Sequence, residues 1–152
     1  MRTSSPTELL ELIAAEAAAE SPLWGEALRP DPERNAIFGA LVPEPLALGV
    51  ETIYEGYLVH YGRSRLFAPP DRDTALLLGD YLYAHGLVRI AATGDLAAVA
   101  ALAELISTCA ALRADGRPGD GAAWLDCARR LGGEPAPDAA GRASAAHARR
   151  VG

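Results

Sequence analysis

The chain has 152 residues, of which 50% are apolar, 22% charged and only 6% aromatic. That length can bury a core without metals or disulfides, and an Ala/Leu-rich interior favours helices over sheets. The net charge is −6 with all fourteen basic residues arginine, which excludes a basic stripe for nucleic acid, where phosphate contacts dominate affinity.

Ser5-Pro6-Thr7-Glu8 is a capping-box pattern with proline at the first helical position, so a first helix is expected over about 7–20 with Leu9, Leu12, Ile13 and Ala17 as its apolar stripe. Glu8, Glu11, Glu16 and Glu20 interrupt any signal-peptide core, and the expected address is cytoplasmic. Residues 21–33 hold three prolines and read as loop, with Leu23 and Trp24 as an anchor. Asp31-Pro32-Glu33 predicts a short second helix to about Leu41, although 36–42 is also where a strand is least excluded. A third helix is expected over about 45–61, burying Leu46, Val50, Ile53, Tyr54, Tyr57 and Leu58. Pro69-Pro70 keeps 62–71 a loop.

The fourth helix should span about 73–93 and stop at Gly94. Asp95 caps a fifth, to about 115, whose Leu96, Val99, Leu102, Ala103, Ile106 and Cys109 are apolar around much of the circumference. Such a helix is expected at the centre, and because the chain has no stretch of about 18 uncharged apolar residues, no membrane span is expected. Gly116–Gly121 is read as a turn, because it lacks the Lys-Ser/Thr of a phosphate loop. A sixth helix, about 122–131, carries Trp124 and Cys127. Cys109 and Cys127 form no Cys-x-x-Cys pair and read as buried apolar thiols. Residues 134–152 lack large apolar groups apart from Val151. They are expected as a disordered or weakly helical tail, with Arg142, Arg149 and Arg150 as solubilising charge. The predicted fold class is therefore all-α: a compact antiparallel bundle of five or six helices over 1–133, centred on helices three to five, with a flexible C-terminal tail over 134–152.

Asp80 sits in the apolar run 75–94. A carboxylate on a buried helix face needs a partner, and His60, Arg63 and Arg65 are the candidates. His60 and His85 fall in adjacent predicted helices, which makes them a candidate metal or acid–base pair, with Asp80 or Glu55 as further ligand. Tyr54, Tyr57, Tyr61, Tyr81 and Tyr83 concentrate on the same two helices, as core-edge packing or as an aromatic contact surface. Asp80, His60, Arg63, Tyr57, Tyr83 and His85 are the candidate ligand-binding set; no catalytic and no metal-binding set is assigned.

The run Leu77-Leu78-Gly79-Asp80-Tyr81-Leu82-Tyr83-Ala84, followed by Ala91-Ala92-Thr93-Gly94-Asp95, resembles a segment of the trans-type polyprenyl diphosphate synthases, over about 47–115. The resemblance implies an all-α fold. The family's first aspartate motif should follow Leu58-Val59-His60, where this chain has Tyr61-Gly62-Arg63-Ser64, and no second such motif occurs. Tyr, Gly and Arg cannot supply the hard oxygen ligands that Mg²⁺ requires. The resemblance therefore implies a shortened relative with no cofactor, Mg²⁺ being expected only if synthase activity survives. Two roles follow as expectations. One is a non-catalytic accessory or interaction subunit that binds itself or another helical protein, a full-length prenyl synthase being one candidate partner. The other is an enzyme or binding protein for an isoprenoid or other apolar ligand held between helices three and four.

Overall fold

The computed structural model describes residues 4–151. Among them seven α-helices form and no strand does: α1 (Pro6–Glu20), α2 (Pro22–Glu26), α3 (Glu44–Tyr61), α4 (Arg72–Ala92), α5 (Leu96–Ala114), α6 (Asp120–Gly132) and α7 (Pro137–Val151), with a 3-10 turn at Phe38–Leu41. The all-α expectation holds. So do several signals that act over one turn of chain. The Ser5 hydroxyl accepts from Glu8 N at 3.2 Å while the Glu8 carboxylate accepts from Ser5 N at 3.4 Å. Asp95 caps α5 by accepting from Ala98 N, and the structure adds an Asp71 cap on α4, accepting from Thr74 N. Gly94, Gly116 and Gly133 take the positive φ that ends α4, α5 and α6.

The central helix is α3, not α5. Every residue from Gly49 to Leu58 is buried, because α3 separates two cores. On one side Phe38, Tyr54, Tyr57, Leu102, Cys109 and Trp124 pack among α5, α6 and α7. On the other, Leu10, Ile13, Trp24, Phe67, Leu78 and Leu82 pack among α1, α2 and α4. The α1 stripe is shifted by this docking: Leu10 is fully buried and Leu12 is 41% exposed. Leu23 is likewise exposed, and Trp24 alone anchors α2.

α3 and α4 meet through glycines seven residues apart on each helix, Gly49 and Gly56 against Gly86 and Gly79. A Cβ on Gly56 would stand 3.0 Å from the Gly79 carbonyl oxygen, and one on Gly86 would stand 3.1 Å from the Gly49 carbonyl oxygen. The backbones touch at these levels, which leaves no room there for a ligand between helices three and four.

Two segments depart from expectation. Residues 31–37 form no helix, and only Phe38–Leu41 makes a single 3-10 turn. Ile37 N and Gly39 N donate to the Glu51 carboxylate on α3 instead of to local carbonyls, so tertiary bonding outbids the helix. The expected tail is, over Pro137–Val151, the helix α7, with Ala143, His147 and Arg150 buried against the body. Its anchors are polar and small, which is why a search for large apolar residues passed over it.

Candidate functional site

Two carboxylates one turn apart on α3 define the polar interior. Glu51 and Glu55 are both fully buried, and the fully buried Arg65 guanidinium lies between them. Its Nη1 donates to Glu51 at 2.6 Å and its Nε donates to Glu55 at 2.7 Å. Glu51 also accepts from Ile37 N and Gly39 N, and Glu55 accepts from Arg65 N and from the Ser64 hydroxyl. Arg65 Nη1 donates further to the Asn35 carbonyl at 2.7 Å. The guanidinium carbon stands 5.2 Å from the Tyr54 ring centroid, and Nη2 has no partner. The two acid neighbours outweigh burial and hold Arg65 firmly protonated. This cluster ties the segments 35–39 and 64–67 to the central helix, and its groups are consumed in doing so.

A second cluster joins α3, α5 and α6. The Tyr57 hydroxyl donates to Asp120 at the start of α6, and Arg113 of α5 donates to that carboxylate at 2.6 Å and to the Tyr57 oxygen at 2.9 Å. Alongside, the Tyr54 hydroxyl and His147 Nδ1 are 2.8 Å apart. Burial lowers the His147 pKa, so the ring is neutral near pH 7. Trp124 lies edge-on to Tyr54 and stacks on Phe38. The indole N–H and His147 Nε2 are buried without a partner.

The six candidate residues are not brought to one place. Asp80 is on the outer side of α4 with its side chain 73% exposed. The expectation of a buried carboxylate at this position is overturned, because the inward face of α4 at that level is Gly79, not Asp80. His60 Nε2 lies 3.2 Å from Asp80 Oδ1, and burial lowers the His60 pKa despite that neighbour. Tyr83 is half-buried beside His60, with ring centroids 5.1 Å apart. His85 faces the other way and meets Glu16 of α1 at 3.0 Å, so the two histidines make no pair. Arg63 is mostly exposed near Glu33, while Tyr57 belongs to the Asp120 cluster. Among the described residues no three His, Cys, Asp or Glu side chains converge as a metal site. The Tyr61–Ser64 stretch and the lone Asp80–His60 pair do not fit Mg²⁺, and no step is routed through it.

Of the interior groups, Glu51 and Glu55 were not recognised as a buried pair, Arg65 and Glu55 were named only as partners of Asp80 and of the histidines, and Arg113, Asp120 and His147 were missed. The signal was present for the first two: acids at i and i+4 on a helix apolar on every other side need burial partners, as was argued for Asp80.

An apolar patch lies on the surface. Around α4 the outward positions are Leu76, Leu77, Asp80, Ala84, Val88 and Ala91, with Leu77 58% and Val88 63% exposed. Leu96, the first residue of α5, is 74% exposed. By length and composition α5 is apolar enough to cross a membrane, but Ala98, Ala101, Leu102, Leu105 and Cys109 pack it into the fold. Burial raises the Cys109 thiol to about 11, and the same holds for Cys127. Comparison with known proteins finds no matching family model, no matching curated protein and no matching solved structure.

Proposed function

We propose that the chain is a non-catalytic helical interaction module that pairs with a second copy of itself along the outer face of α4. An apolar helix face is normally a covered one, and on α4 the outward Leu76, Leu77 and Val88 have no cover within the fold, while α3, Glu16 of α1 and the Trp24 ring of α2 cover its other sides. That uncovered face is the observation that carries the reading. Leu77, Ala84 and Ala91 repeat at seven-residue spacing with Tyr81, Leu87 and Val88 beside them, the seam of an antiparallel helix pair. A two-fold axis at Ala84 sets Leu77 against Ala91 and Leu76 against Ala92, large on small, as interdigitating layers require. The interior acids and bases support a non-catalytic role, since they are spent on one another. The likeness of Leu77–Ala84 to polyprenyl synthases adds nothing to this reading, and an accessory role beside such an enzyme rests on that likeness alone.

Light scattering on the eluting protein is expected to give twice the chain mass at high micromolar concentration. Leu77→Glu with Val88→Glu should give the monomer mass and a melting temperature lowered only by the stabilisation lost with the pairing, because exposed substitutions themselves cost within about 0.5 kcal/mol. A parent that is monomeric throughout that range removes the self-pairing, and co-elution with a helical protein would reassign the face to that partner.

A further inference from the structure

Three separated parts of the chain converge beside the end of α7. Arg63 comes from the α3–α4 loop, Arg149 and Arg150 from the last turn of α7, and Glu33 and Asn35 from the segment before the 3-10 turn. They enclose a cleft of about 230 Å³. The Arg150 side chain is only 6% exposed; it pairs with Glu33 and donates to the Arg63 carbonyl at 2.9 Å. Arg63 N in turn donates to the Arg150 carbonyl at 2.9 Å, so loop and helix are locked to each other. Arg63 reaches the same Glu33 carboxylate at 4.0 Å. Arg149 has no acidic partner among the described residues. Three guanidiniums and one carboxylate leave the cleft at +2 on a chain whose net charge is −6.

The cleft does not end there. It shares Asn35, Ala146 and Arg149 with a trough of about 330 Å³ that runs back along α7. The trough walls are mostly apolar, with Ala36, Ala40 and Leu41 on one side and Ala139 and Ala143 on the other, and Arg142 also lines them. A cationic mouth thus opens onto an apolar channel.

We propose that this groove binds a phosphate monoester bearing a short apolar group, with the dianionic head among Arg63, Arg149 and Arg150 and the apolar part along α7. The charge at the mouth matches a dianion, and arginine forks match phosphate oxygens. Partial enclosure strengthens each contact over its value in open water. Glu33 pairs with Arg150, so a phosphate bound here competes with that carboxylate for the guanidinium.

Isothermal titration of the full chain with octyl phosphate, inorganic phosphate and the uncharged octyl glucoside tests this. Octyl phosphate is expected to bind saturably, inorganic phosphate at least about tenfold more weakly and octyl glucoside not at all. Arg149→Glu and Arg63→Glu, both at exposed side chains, should each weaken octyl phosphate by about ten- to a hundredfold. Ala139→Leu, which fills the trough, should weaken octyl phosphate and leave inorganic phosphate unchanged. Absence of saturable binding overturns the site. So does binding that both arginine variants leave untouched, and equal affinity for octyl and inorganic phosphate overturns the apolar channel. The pairing along α4 lies elsewhere on the surface, so either result stands apart from the oligomeric state.

Discussion

Replacing Arg65 by methionine tests the polar interior most directly. The substitution keeps an unbranched side chain of similar reach but removes the positive charge from between Glu51 and Glu55, both at 0% exposure. Three side-chain bonds vanish, at 2.6, 2.7 and 2.7 Å. Two buried carboxylates then face each other with only backbone amides and the Ser64 hydroxyl as donors. Breaking a buried pair from one side costs about 3–5 kcal/mol, a large share of the roughly 5–15 kcal/mol that holds a domain folded. For a chain of this size that is a fall in melting temperature of about 6–20 °C. Urea denaturation at pH 7 reads the free energy, and calorimetry reads the midpoint. The triple variant Glu51→Gln, Glu55→Gln, Arg65→Met removes the stranded charges and should recover part of the loss. Loss of under about 1 kcal/mol in Arg65→Met, or no recovery in the triple variant, would refute the view that the guanidinium compensates both acids.

Gly86→Ala puts a Cβ 2.5 Å from Ile53 Cγ1 and 3.1 Å from the Gly49 carbonyl oxygen, so overpacking of about 1–3 kcal/mol should outweigh the helix-propensity gain of about 1 kcal/mol. Gly141→Ala, in mid-α7 with no atom within 4 Å of the added Cβ, should stabilise by about 0.5–1 kcal/mol; paired urea melts separate the two, and equal effects would contradict the close approach of α3 and α4. Burial lowers the pKa of His60 and of His147 from the ordinary 6.5, so the unfolded chain binds more protons than the folded one between the lowered and the ordinary values. Stability should therefore fall as pH drops below about 6.5, and His147→Gln should flatten that slope in urea melts from pH 7.5 to about 5.

What could be read along the chain were the features decided within one or two turns: the Ser5 capping box, the Asp95 cap, the glycine stops, and the apolar face of α3. Such signals are local contacts between residues three to seven apart, and the sequence carries them directly. The alternative partners are nonlocal, and only the assembled helices choose among them. Whether residues 31–41 made a helix depended on a carboxylate fourteen residues downstream of Ile37. Whether Asp80 was buried depended on which face of α4 the glycines offered to α3, and an apolar run on all sides does not say. Whether 137–151 docked depended on His147 and Arg150 finding Tyr54 and the Arg63 carbonyl, about ninety residues away. Apolar periodicity marks faces that can be buried; which of them is buried, and which polar groups are rescued with it, is fixed by the close packing and the pairing of charges that only the folded chain provides.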